Sequence, residues 1–409
     1  MDKNAIIGLD IGSSKVKLVA LIKDEKLPES NLQVVHKSSG ISVGVRKGRI
    51  EDPEKIFDVV SSLFDELSQT DGIEARKVFV NINGASLESI VSKANVVVSK
   101  ADQVIGQEDV DRALTSAKTI SLPLNKEVLG VYNNEFIIDG AYVVKNPIGL
   151  KGTRLEVRSL LITAFSPALN NLRDVMNRLD VDYEIVPTPL ASSYAVLKPE
   201  QKELGVCLVD IGAGTIGIVV FYEGDLVFLK TYPFGSSNIT KDIAVKLQLD
   251  FDTAEYIKTE IASCLIGQSS NKKEKIKLED GEEISFSRKD LYHALQARVD
   301  QILKTILNDL NSLELPDRLA GGVVFTGGGS NLNKFIEYSR KFLKLPVKKA
   351  NLKEQFQIPI ENEQEYSCAL GLALMGHSEE SAEHENFSLN VKPGKFLSKI
   401  KNIIKPFLP

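Results

Sequence analysis

Ala5-Ile-Ile-Gly-Leu-Asp10-Ile-Gly-Ser-Ser-Lys15-Val-Lys-Leu-Val-Ala20 has a counterpart 200 residues later: Gly205-Val-Cys-Leu-Val-Asp210-Ile-Gly-Ala-Gly214-Thr215-Ile-Gly-Ile-Val-Val220-Phe. Each stretch is an apolar run ending in an aspartate, a glycine-containing turn and a second β-rich run. Each therefore predicts a hairpin, and each hairpin opens a lobe of similar topology. A duplication at this spacing predicts two related halves facing each other.

Working outward, helices alternate with strands. Asp52 and Pro53 form an N-cap and first-turn pair for a helix carrying Ile56, Val59, Val60, Leu63, Phe64 and Leu67, with Gly72 beyond its end. Ser166 and Pro167 start a second, with Leu169, Leu172, Val175, Met176 and Leu179. Ser287 with Asp290 opens the longest, whose stripe from Leu291 to Leu313 runs until Pro316. The class is α/β. Between Asn83 and Thr163 the pattern changes to a strand, a helix near Glu108 to Lys118, and several short strands, which predicts an inserted α+β subdomain.

The 409 residues, 43% hydrophobic and 26% charged, suffice for two or more ordinary domains. A net charge of -5 argues against a nucleic-acid protein, because the only dense basic footprint is terminal. Cys207, Cys264 and Cys368 are isolated and odd in number, so the reading is a reducing compartment without a disulfide framework. The histidines are scattered, and no metal-site spacing occurs. No stretch approaches the length of a membrane-crossing helix and the start has no signal-peptide run, so the expected location is the cytoplasm.

Three glycine clusters carry the chemistry. After Asp10, Gly12, Ser13, Ser14 and Lys15 suit a phosphate cradle: the glycine lets N–H groups approach, the hydroxyls donate, and the lysine supplies charge. Asp10 would then hold magnesium through water. An Asp-Gly turn between strands is common, so one copy alone says little. The second, with Asp210, Gly212, Gly214 and Thr215, changes that, since two such hairpins facing one cleft clamp a polyphosphate and its metal. In the third, Gly321-Gly-Val-Val-Phe-Thr-Gly327-Gly328-Gly329-Ser330, the three glycines permit flat approach of a base or sugar, or form only a loop. Asp252-Thr-Ala-Glu255-Tyr-Ile-Lys258-Thr-Glu260 reads as a capped helix with Glu255 and Lys258 on one face, either as ribose and base contacts or as a solvated ion pair.

Lys392 to Pro409 (KPGKFLSKIKNIIKPFLP) carries five lysines and no acid, after the acidic, Ser-rich stretch from His377. Phe396, Leu397, Ile400, Ile403, Ile404, Phe407 and Leu408 fall in one helical stripe, with Lys395, Lys399, Lys401 and Lys405 outside it. Such a helix lies in the headgroup plane of an anionic membrane, or packs on the body of the protein. Pro406 ends it near Lys405.

Asp10-Ile-Gly, Asp210-Ile-Gly-Ala-Gly-Thr215 and Thr326-Gly-Gly-Gly329, in this order, resemble the two phosphate motifs and the adenosine motif of the actin-like ATPase superfamily. Pro187-Thr-Pro-Leu-Ala-Ser-Ser-Tyr-Ala195 and Tyr366-Ser-Cys-Ala-Leu-Gly371 resemble its two connecting helices. Within the superfamily the chain is most similar to the bacterial cell-division family FtsA, over roughly residues 5 to 376. Phe136-Ile-Ile-Asp-Gly and Asn146-Pro-Ile-Gly-Leu-Lys-Gly-Thr-Arg-Leu155 resemble a signature of that family's inserted subdomain. The terminal helix fits the same family and is absent, as a rule, from the pilus-assembly relative PilM.

The resemblance implies a two-lobed actin-like (ribonuclease H-like) ATPase fold with an inserted α+β subdomain. Its parts would be lobe 1 at 1–83 and 165–200, the insert at 84–164, and the core of lobe 2 at 201–236 and 316–376. A lobe 2 subdomain would follow at 237–315, an acidic linker at 377–391 and a membrane helix at 392–409. It implies ATP and magnesium as cofactors. Gly12, Ser13, Ser14 and Lys15 would bind phosphate on one side and Gly212, Gly214 and Thr215 on the other, with Asp10 and Asp210 around the metal. Gly327, Gly328 and Gly329 would flank the adenosine, opposite Glu255 and Lys258. Two positions depart from the family pattern: Ala213 stands where a glycine is usual, and Gly217 where an acid commonly follows the threonine. Binding is therefore the firmer expectation, with at most weak hydrolysis.

By the same resemblance the protein would polymerise on the inner face of the cytoplasmic membrane at the division site, hold anionic lipid through its tail, and bind the C-terminal tail of FtsZ within 237–315. It would also recruit later division proteins. Two rivals remain at this level: a PilM-like pilus scaffold, and a small-molecule kinase of the same superfamily. The kinase needs a carboxylate base beyond Asp10 and Asp210, and the sequence offers no candidate.

Overall fold

The computed structural model describes residues 3–23, 32–70, 73–119, 122–265, 273–277, 283–313, 319–352 and 363–385. β1 (Lys3–Ile11) and β2 (Lys15–Lys23) form the first hairpin, followed by β3 (Leu32–Ile41) and a two-residue-per-strand hairpin of β4 (Val45–Arg46) and β5 (Arg49–Ile50). In α1 (Pro53–Ser68) the Asp52 carboxylate accepts from the Lys55 N–H, Pro53 occupies the first turn, and Ile56, Val60, Leu63 and Leu67 are buried. β6 (Ile73–Ile82) leads into the insert: β7 (Glu88–Val97), α2 (Gln107–Lys118), β8 (Lys126–Ile138), β9 (Tyr142–Val144) and β10 (Arg154–Phe165). Two of its strands are long rather than short, β8 with 13 residues and β10 with 12.

β10 runs directly into α3 (Ser166–Arg178), then β11 (Tyr183–Pro187), α4 (Thr188–Val196) and α5 (Pro199–Glu203). The second lobe follows as β12 (Val206–Ile211), β13 (Ile216–Tyr222), β14 (Asp225–Tyr232), α6 (Ser236–Leu247) and α7 (Phe251–Tyr256). A hairpin of β15 (Lys273–Lys277) and β16 (Glu283–Ser287) precedes α8 (Arg288–Ser312), whose cap is the Ser287 hydroxyl accepting from the Asp290 N–H. β17 (Gly322–Thr326), α9 (Phe335–Leu343), β18 (Val347–Lys349) and α10 (Ser367–Glu385) complete the order.

One sheet has the order β11-β6-β1-β2-β3 and the other β18-β17-β12-β13-β14-β7-β10-β8-β9. The first five strands of the larger repeat the smaller, with an antiparallel hairpin at the centre, an antiparallel strand on one flank and two parallel strands on the other. Even the register recurs: Asp10 faces Lys17, and Asp210 faces Gly217. The two-lobed architecture predicted from the duplicated hairpins is therefore present. The insert supplies the four remaining strands.

Alternation along the strands divides the packing. Leu208, Val219 and Phe221 turn toward the core shared with lobe 1, while Cys207, Val209, Ile218 and Val220 turn toward α6 and α8. The insert has its own core, in which Val110, Ala113 and Ala117 of α2 cover Phe136, Leu155 and Val157. Between the lobes lie α4 and α10, and nearly every residue of α4 is buried. A Cβ on Gly371 would stand 1.9 Å from the Ala191 carbonyl oxygen, so the helices cross where only a glycine fits.

α10 corrects one expectation. It does not stop at residue 376 but continues to Glu385, so the acidic stretch read as a linker begins as helix. His377 is buried there with Nε2 3.2 Å from the Leu21 carbonyl, and the Glu and Ala residues that follow have good helix propensity. Gly72 and the lysine-rich segment from Lys392 to Pro409, with Phe396, Leu397, Ile400, Ile403, Ile404, Phe407, Leu408, Lys395 and Lys399, lie outside the described residues. Among the described residues no helix is long and apolar enough to cross a membrane.

Candidate functional site: the cleft between the lobes

Both hairpin turns close in the same way. The Gly12 N–H donates to the Lys15 carbonyl at 3.1 Å, and the Gly212 N–H to the Thr215 carbonyl at 2.9 Å. The turns face each other across a cleft of about 590 Å³. Every cleft residue expected from the sequence lines it: Asp10, Gly12, Ser13, Ser14, Lys15, Asp210, Gly212, Gly214, Thr215, Glu255, Lys258, Gly327, Gly328 and Gly329. A volume of this size is ordinary for a small-molecule or cofactor site.

The aspartates are held from behind. Asn81 donates from Nδ2 to Asp10 Oδ1 at 2.9 Å and accepts the Ile11 N–H at 2.7 Å, while Lys17 Nζ lies 3.4 Å from Asp10 Oδ2. The Ser192 hydroxyl, on α4, donates to Asp210 Oδ2 at 2.5 Å. Burial pushes the Asp210 carboxyl up to about 6; the Ser192 bond opposes this and the charge of Asp10 adds to it. Burial works against the charge of Lys17, yet Asp10 and Glu365 outweigh it and raise its pKa. The Cys368 thiol beside them is pushed well up by burial and then by both carboxylates, which makes it a poor nucleophile.

On the far wall Lys258 Nζ lies 2.7 Å from both Glu255 oxygens and 3.0 Å from Thr240 Oγ1. The pair forms, but the lysine is buried rather than solvated, and burial lowers its pKa against the pull of Glu255. The helix there is capped by Asp250, which accepts from the Thr253 N–H at 2.8 Å, not by Asp252. It then widens into a π-helical turn, Ile257–Ile261, that carries Lys258, Thr259 and Glu260 along the cleft. Such turns recur at functional sites because they re-aim side chains within a helix.

Gly217 has a steric cause. A Cβ there would lie 2.4 Å from Pro189 Cγ, so α4 occupies the space that an acid would need. Thr188, also on α4, is committed: its hydroxyl donates to the Ile82 carbonyl at 3.0 Å and accepts from Asn81 at 3.0 Å. At Ala213 the carbonyl accepts the Ser237 N–H at 2.9 Å, as Gly212 accepts that of Ser236, so α6 fixes the turn.

Sequence reasoning passed over Lys17, Asn81, Asn83, Ser192 and the β4–β5 hairpin. Asn83 Nδ2 donates across the cleft to Thr215 Oγ1 at 3.0 Å, and the Gly48 N–H at the hairpin tip donates to Ser13 Oγ at 2.9 Å. A usable signal existed in three of these: Asn81 and Asn83 are polar residues at the end of an apolar strand, and Ser192 lies inside a connecting-helix motif. Among the described residues no cluster of three or more His, Cys, Asp or Glu gathers as a metal cage.

Comparison with known proteins bears on this geometry. The profile described as cell division protein FtsA matches residues 207–371, and the SHS2 domain inserted in FtsA matches residues 84–163. The FtsA of Borreliella burgdorferi is 33% identical over 414 aligned residues, covering 98% of each chain. The chain belongs to the FtsA family of cell division proteins. FtsA of Pseudomonas aeruginosa is 31% identical, with 96% of this chain and 93% of that one covered. Among solved structures, the PilM-PilN type IV pilus biogenesis complex aligns with a TM-score of 0.62 at 16% identity, over 91% of this chain and 98% of that chain. MreB 5 of Spiroplasma citri bound to AMPPNP aligns with 0.57 at 12% identity, over 94% and 99%. These likenesses are of fold: an FtsA-family chain with the actin-like two-lobed architecture.

Proposed function

We propose that the cleft binds ATP with magnesium, and that this FtsA-family chain uses the bound nucleotide to polymerise at the inner face of the cytoplasmic membrane. There it would tether FtsZ filaments, through contacts within residues 237–315, to anionic lipid held by the amphipathic segment 392–409. Later division proteins would be recruited to the same assembly. The observation that carries the nucleotide reading is the pair of matching turns closing on one cleft, each backed by an aspartate.

The donor set suits magnesium. Asp10 and Asp210 offer oxygen ligands only, and they lie close enough for the charge of one to raise the proton affinity of the other. They would hold the ion through water, and it would neutralise phosphate oxygens. Ser13, Ser14 and Lys15 would take phosphate from lobe 1, and Gly212, Gly214 and Thr215 from lobe 2. Gly327, Gly328 and Gly329 would lie against the adenosine, opposite Glu255 and Lys258. With position 217 filled by α4 and Thr188 already bonded, the cleft is built to hold nucleotide more than to activate water.

Titration with a fluorescent ATP analogue and magnesium tests this reading. Lys258→Ala should weaken binding at least about tenfold, the scale of a lost charge-assisted bond. No binding by the unaltered chain, or equal binding by the variant, would remove the assignment.

A further inference from the structure

The insert is covalently part of lobe 1. It leaves β6 through Asn83 to Leu87 and returns by β10 running straight into α3, and α3 holds β8 through Arg173 and Glu127 at 3.0 Å. Yet its β7 edge is bonded to lobe 2. Glu88 faces Lys230 of β14, the Thr231 N–H donates to the Leu87 carbonyl at 2.9 Å, and the Leu229 N–H donates to Ser89 Oγ at 2.8 Å. Farther along, Lys145 and Asp225 pair at 3.0 Å.

The lobes thus share the buried core around α4 and the contacts across the cleft, the chain crossing from α4 through α5 to β12, and this seam. The seam is a short set of bonds between paired strand edges, and it cannot pivot without shear. We propose that the β7–β14 seam is the joint through which the cleft and the insert are coupled. Nucleotide that holds the lobes together holds the seam closed, and whatever binds the insert and favours the closed seam tightens nucleotide in turn, because linkage between two sites is reciprocal. The inference rests on the nucleotide reading of the cleft.

Glu88 and Lys230 offer a direct test. The bond from Thr231 to Leu87 marks them as a non-hydrogen-bonded antiparallel pair, in which opposed residues approach most closely and a disulfide can form. The native Cys207, Cys264 and Cys368 are all buried. In the full-length Glu88→Cys, Lys230→Cys double variant, release of a fluorescent ATP analogue with magnesium is timed after mild oxidation and again after reduction of the same sample. Release is expected to be at least tenfold slower in the oxidised form, and magnesium–ATP is expected to speed disulfide formation several-fold.

Equal release rates in the two redox forms would overturn the coupling, as would failure of the bond to form under oxidant. Binding is measured first on the unaltered chain. Absence of binding there removes the nucleotide reading and the coupling together, whereas binding with redox-insensitive release removes the coupling alone.

Discussion

At Asp210 the enclosure of the carboxylate opposes the charge that the proposed metal role needs. Its pKa, lifted to about 6 by burial, lies above the ordinary value of 3.8, so the folded chain holds that proton more tightly than the unfolded chain. The stability it contributes is therefore present at low pH and lost as pH rises through about 6. Asp210→Asn should unfold at a higher temperature than the unaltered chain at pH 8, with the gap narrowing toward pH 4. The same variant should lose magnesium-dependent nucleotide binding. Thermal scans at the two pH values check the first statement, and an equal gap at both would contradict it.

Gly217 invites the opposite manipulation. Gly217→Asp supplies the acid that the resemblance to actin-like ATPases led one to expect, but Pro189 fills its space, so the expected result is a loss of about 1–3 kcal/mol in denaturant unfolding with no gain in ATP turnover. The aspartates and glycines of the cleft were legible because they stand in short local motifs that recur. Lys17 was not, since its role comes from facing Asp10 across the β1–β2 pair, and the polar end of β6 marked Asn81 without its partner, which lies 71 residues away in the chain.

Among the elements, the helix starts were the readable part. The Asp52 and Ser287 caps form as their side chains dictate, and Asp52→Ala should cost about 1 kcal/mol. The crossing of α10 over α4 is far less forgiving. Gly371→Ala drives a methyl into the backbone at Ala191, where neither helix can yield, and should cost about 3 kcal/mol, three times the cap variant, in the same unfolding measurement. The π-helical turn after α7 and the persistence of α10 to Glu385 escaped the sequence. Neither shows in the apolar periodicity: the first is a local change of hydrogen bonding within the helix, and the second runs on through residues of good helix propensity that carry no apolar stripe.

The whole molecule was legible in outline because a duplication declares itself twice. Two hairpins 200 residues apart give two sheets with the same strand order and the same register, and a cleft follows wherever their turns meet. The bridging of the insert to β14 was not legible, since edge pairing between distant strands leaves no periodic mark. In the proposed assembly one short amphipathic tail anchors weakly. Polymerisation multiplies such anchors, so tethering should need both the tail and nucleotide-dependent assembly.

The most direct measurement mixes the protein with anionic liposomes, magnesium–ATP and FtsZ filaments, and compares FtsZ in the liposome pellet for the full chain and for a chain ending at Val391. The account predicts FtsZ in the pellet with the full chain only. FtsZ left in solution with both chains, while the full chain itself pellets, would contradict the tether and leave a membrane-bound actin-like protein with another task.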